Sequence, residues 1–186
     1  MGFLKKRPIA LILSLIIVLS STAISIRTKF ENECLDVVDG FYDGELYGGV
    51  KETAIADYLS QICNLSNSIV DMAKTYDIDT TDVEWNVEDI QFTMLDWYDD
   101  ISYMHYCYEE LLTSVSELNK RLSQMPLTAD EQQKLSTLTW EISQASSAIE
   151  SSKYNESVRL FTREKMKFPT DVLTEFAGVY GPDFFQ

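Results

Sequence analysis

The strongest constraint on this chain is an apolar alternation in its middle. Val87, Ile90, Met94, Trp97, Ile101, Met104, Tyr108, Leu111, Val115, Leu118, Leu122 and Met125 follow one another at spacings of three and four without interruption. A strand sends successive side chains to opposite faces, whereas this rhythm gathers them on one stripe of a helix. The spacing predicts a single long helix over 87–125, closed by Pro126, with its stripe buried against partner helices.

Two further segments repeat the pattern. Ile55, Leu59, Ile62, Leu65, Ile69, Met72 and Tyr76 form one seam, which ends before the polar run Asp77–Asp82, suited to a turn and an N-cap. Leu135, Leu138, Ile142, Ala145 and Ile149 form the next, opened by Thr128 with Glu131 three residues later, the pattern of a capping box. That seam slips by one before resuming at Tyr154, Val158 and Phe161, which reads as one helix with a stutter or as a break near Ser151-Ser152. No strand-type alternation of useful length occurs. The fold class expected is all-α: an N-terminal transmembrane helix followed by an antiparallel, mostly up-and-down bundle of long helices. GFYDGELYGG, with Gly40, Gly44, Gly48 and Gly49, supplies the turn between the first two soluble helices.

The membrane segment comes from Pro8 to Ile26, which carries no charge and follows Lys5, Lys6 and Arg7. As a helix it spans about 28 Å, enough for the hydrocarbon core of a bilayer. The basic flank puts the N-terminus in the cytoplasm and the rest outside. A signal peptide cleaved after Ala23-Ile24-Ser25 is the competing reading. The domains expected are therefore 1–26, basic N-terminus and anchor, and 27–186, an extracytoplasmic helical bundle. Residues 28–186 hold 11 Lys/Arg against all 30 Asp/Glu, a net charge of −19. So acidic a surface repels phosphate backbones and argues against nucleic acid as a partner. The partners expected are the bilayer through residues 8–26 and an envelope protein; the oligomeric state is left open.

Residues for chemistry are sparse. Cys34 and Cys63 would lie at similar heights if the first hairpin turns near residue 48, and in an oxidising compartment they could bridge, leaving Cys107 free; buried packing of each as a small apolar residue is the alternative. His105 is the single histidine, so a two-histidine di-iron site is not encoded. The acidic-aromatic segment 97–110, with Asp99, Asp100, Tyr103 and His105, is the alternative locus for a ligand- or metal-binding bundle with enzymatic activity. Phosphate-binding glycine loops, Ser/His/Asp sets and Cys-x-x-Cys pairs do not occur. No catalytic, cofactor-binding or metal-ligating residue is assigned, and no enzyme is expected.

Tyr154-Asn155, Val158, Phe168-Pro169, Phe176-Ala177-Gly178 and Phe184-Phe185 resemble the C-terminal signature of the LemA family. The layout is similar too: a basic N-terminus, one membrane helix and a helical domain. Asn64 to Val70 is similar to a Leu-Ile-Pro-Asn-Leu-Val segment of that family but lacks its proline. The resemblance implies a bacterial membrane-anchored helical bundle and carries over no catalytic residue.

Overall fold

A computed structural model describes residues 3–44, 46–47, 50–95, 100–167 and 170–186. Among the described residues the fold is all-α apart from two short paired strands. In order, the described elements are α1 (Phe3–Asp43), β1 (Leu46–Tyr47), β2 (Val50–Lys51), α2 (Ile55–Lys74), α3 (Thr81–Leu95), α4 (Ile101–Leu122), α5 (Ala129–Glu150), α6 (Tyr154–Lys165) and α7 (Thr170–Ala177). The two short strands pair antiparallel, Leu46 opposite Lys51 and Tyr47 opposite Val50. Gly44 leaves α1 with φ +80°, and a Cβ there would lie 1.9 Å from the Glu52 carbonyl oxygen, so only glycine fits this turn.

The residues divide into two compact units. The first holds residues 1–37 and 156–182, the second residues 38–155 and 183–186. α1 runs unbroken past residue 26 to Asp43.

In the second unit α2 packs against α3, α4 and α5, and α3 packs on α4. Facing several neighbours requires a wide buried face, and α2 buries Ile55, Leu59, Ile62, Cys63, Ser66, Ile69, Val70, Met72 and Ala73. Leu65, placed on the seam by its spacing, is only half-buried, and Ser66 takes the core position beside it. The Ser66 hydroxyl has no hydrogen-bond partner there.

The helix expected over 87–125 is two helices. Asp100 has non-helical dihedrals (φ −136°, ψ 59°), and its side chain accepts a hydrogen bond from the Tyr103 amide, starting α4 afresh. Trp97 lies outside the described residues. The stripe remains regular because both helices turn it inward: Val87 and Ile90 are buried on α3, and Ile101, Met104, Tyr108, Leu111, Val115, Leu118 and Leu122 on α4. The third seam is also broken, with α5 ending at Glu150 and α6 starting at Tyr154. α5 buries Leu135, Leu138, Ile142, Ala145 and Ile149, the residues its spacing selects.

Local closures match the chemistry of their residues. α2 ends with Asp77 at φ +54°, while the Ile78 amide bonds to the Ala73 carbonyl and the Asp77 amide to that of Lys74. Thr128 and Glu131 form the expected capping box, and the Glu131 carboxylate also accepts from the Tyr76 hydroxyl at 2.8 Å. Bonds from Thr128, and then from Tyr76, hold the Glu131 carboxyl below its ordinary range. Because the folded value is depressed, this stabilisation is present at neutral pH and is lost as Glu131 protonates in acid.

Thr128→Ala is expected to cost about 1 kcal/mol at neutral pH, with the gap to the parent narrowing in acid. Ser66→Ala should move the other way and raise stability by about 1 kcal/mol, because it removes an unpaired buried hydroxyl. Urea unfolding of the detergent-solubilised chain, followed by circular dichroism, checks both.

Candidate functional site

The most specific polar construction in the chain lies at the start of α6, inside the second unit. Asn155 Nδ2 donates to the Phe185 carbonyl at 2.7 Å, and the Phe185 amide donates to Asn155 Oδ1 at 2.9 Å. One side-chain amide thus replaces a paired backbone, satisfying both polar groups of residue 185. Next to it, the Tyr154 hydroxyl donates to the Asp183 carbonyl at 2.8 Å.

These bonds seat the Phe185 ring, 4% exposed, in an aromatic socket. Its centroid lies 4.8 Å from His105 (edge-on), 5.3 Å from Phe41 and 5.7 Å from Tyr108. Phe41 in turn meets Tyr154 at 5.3 Å. Such contacts each add about 1 kcal/mol beyond area burial. The socket is structural: every polar group named is engaged within the chain, and the aromatic faces are filled by residue 185.

Of the signature positions, Tyr154, Asn155 and Phe185 therefore form one clamp. Val158 is fully buried and Phe184 half-buried, while Phe168 and Pro169 lie outside the described residues. A role for Asn155 was not readable from spacing.

The segment 97–110 does not assemble as a site. Trp97, Tyr98 and Asp99 lie outside the described residues, and Asp100 is spent on the α4 cap. His105 Nε2 is 3.6 Å from Glu109 on the same helix and packs edge-on to Phe185. Tyr103 stacks on Tyr106 at 6.3 Å. A hydrogen bond to Cys107, with the charge of Asp89 adding to it, pushes the Tyr103 phenol up to about 12. Among the described residues, no three His, Cys, Asp or Glu side chains converge as a metal site would require.

Cys63 and Cys107 are free thiols, so the bridge between Cys34 and Cys63 is not formed. Cys63 is fully buried in the core of the second unit, where burial pushes its thiol up to about 12. Cys34 belongs to the first unit and packs against Phe30, Phe161 and Val179.

Two exposed features of the second unit are better suited to binding. Trp85, Phe92 and Leu95 recur along one face of α3 with 67%, 65% and 85% of their surface in solvent. A groove of about 790 Å³ runs between α4 and α5, lined by Asn119, Met125, Leu127, Leu135, Thr139 and the exposed Trp140. Asn119 donates to Thr139 at 3.1 Å, while its Oδ1 has no partner. The exposed Trp85, Phe92, Leu95 and Trp140 lie off the core seams that organise the sequence.

No family model, no curated protein and no solved structure matches the chain. The likeness to the LemA family therefore rests on the C-terminal motif and the layout alone.

Asn155→Ala should destabilise by about 2 kcal/mol through two lost hydrogen bonds, and Phe185→Ala by about 3 kcal/mol through the emptied socket. Phe184→Ala, at a half-buried ring, should cost less than Phe185→Ala in the same urea titration. In a second test, alkylation of native protein at mildly alkaline pH should leave Cys63 unmodified, and denaturation should expose it; peptide mass analysis reads both states.

Proposed function

We propose that the protein is a single-pass, membrane-anchored helical scaffold of the bacterial envelope, which presents an acidic bundle to a protein partner. The observation that carries this is α1. Eight apolar side chains between Leu11 and Leu19 are each more than half exposed, from 52% to 71%, on a helix of 41 residues and about 60 Å. Its apolar stretch is long enough to cross a membrane. Water is a poor solvent for such a surface and hydrocarbon a good one.

The rest of the reading follows from charge and exposure. Lys5, Lys6 and Arg7 favour a cytoplasmic N-terminus, which puts the bundle outside. Exposed Trp85, Phe92 and Leu95 on α3 supply the apolar, aromatic anchors that protein interfaces favour. The resemblance to the LemA family agrees with an anchored bundle that has no enzymatic role.

The test joins membrane extraction to site-specific crosslinking in cells. The chain should stay with membranes through alkaline carbonate, and added protease should digest the bundle only from the extracytoplasmic side. A photo-crosslinker at Phe92 should capture a discrete envelope protein that the same group at exposed Gln144 does not. Release by carbonate would overturn the anchor. A protected bundle would reverse the orientation, and equal capture at both positions would remove the α3 face as the interface.

A further inference from the structure

The first unit is chemically unlike the second, and the difference tracks the anchor. Beyond Ile26, the first unit carries six Lys/Arg (Arg27, Lys29, Arg159, Arg163, Lys165 and Lys167) and seven acids. The second unit carries six Lys/Arg and 23 acids. Nearly all the negative charge thus belongs to one unit, and the unit that contains the apolar helix is close to neutral.

Packing inside the first unit fixes where α6 and α7 meet that helix. Phe161 of α6 meets Phe30 of α1 edge-on at 5.8 Å. Ile26 and Ala177 pack on the same cluster as Phe30, Phe161 and Val179. Phe30 stands one turn, about 6 Å, past the last residue of the uncharged stretch, and the polar layer of each leaflet is about 5–8 Å deep. Lys167 pairs with Glu164 and, with Arg163 and Lys29 contributing more weakly, holds the Glu164 carboxyl below its ordinary range. On α1 itself the bases come first: Arg27 and Lys29 pair with Glu31 and Glu33, each one turn farther along the helix.

The unit also exposes apolar groups that its own packing does not cover. Met166, Val172 and Tyr180 are 72%, 57% and 87% exposed. Met166 and Tyr180 flank a groove of about 440 Å³ between α6 and α7, and Lys165 on its wall donates to the Val179 carbonyl at 2.5 Å. Amphipathic aromatic and sulfur-bearing side chains interspersed with Lys and Arg are the composition of a surface that lies in a bilayer interface.

We propose that α6, α7 and the segment through Tyr180 form a collar seated on the membrane around the base of the anchor, with Met166, Val172 and Tyr180 in the interface and Arg163 and Lys167 at anionic phospholipid headgroups. This rests on the reading of α1 as a membrane anchor. The collar gives the domain a second attachment, so that α1 is held at its base rather than swinging on a single helix. The bundle's negative charge is then carried by the other unit.

The full chain is reconstituted into phosphatidylcholine vesicles with and without phosphatidylglycerol, using lipids brominated near the headgroup. Tyr180→Trp adds one indole to a baseline set by Trp85, Trp97 and Trp140. That indole should emit to the blue and be quenched by brominated lipid, roughly two-fold more when phosphatidylglycerol is present. Arg163→Glu with Lys167→Glu should remove the phosphatidylglycerol increment, and both sites are exposed, so the fold is kept. The collar is overturned if the introduced indole is quenched by aqueous acrylamide and not by brominated lipid while the chain resists carbonate; the surface then faces water or a protein. Equal quenching in both vesicle types overturns the role of the basic residues. Loss of the chain from vesicles in carbonate takes down the anchor and the collar together.

Discussion

The bundle depends on one constraint: α2 carries more apolar surface than a single neighbour can cover. Nine residues of its twenty are buried, and α3, α4 and α5 all pack on it. A helix with a narrow stripe would be satisfied by pairing once. A face this wide must be enclosed, so the helices that follow return to it after short connections. The capping box at Thr128, the closure at Asp77 and the cap at Asp100 serve that return, because each stops or starts a helix where the chain must reverse.

The sequence was most legible where packing and periodicity coincide. On α5 the buried residues are those its spacing selects, and Tyr154, Val158 and Phe161 are each buried as their spacing implies. It was least legible at helix ends. The alternation from Val87 to Met125 runs on from α3 into α4, since two helices packed on one core show the same inward rhythm and a phase can persist between them by chance. The decisive residue was Asp100, a cap whose effect depends on the local dihedrals and not on the stripe.

The candidate sites divide along the same line. Buried contacts such as the Phe185 socket join residues far apart in the chain, and no local pattern announces that Asn155 will pair with a backbone thirty residues away. Exposed features carry a weaker but readable sign, which is an aromatic or aliphatic residue out of phase with its helix. Trp85, Phe92 and Trp140 all meet that description. The cysteines show the limit of arguing from height alone. Similar distance from a turn placed Cys34 and Cys63 level, yet one faces a core and the other packs in a different unit.

The clamp at Asn155 also sets an order of events during synthesis. Phe41, His105 and Tyr108 are made early and in the middle of the chain, but the ring that fills the space among them belongs to residue 185. Until that residue has emerged, the socket is an open apolar surface on an otherwise assembled bundle. The aromatic faces of Phe41, His105 and Tyr108 therefore stay unsealed until residue 185 docks, and any state that frees residues 183–186 opens them again.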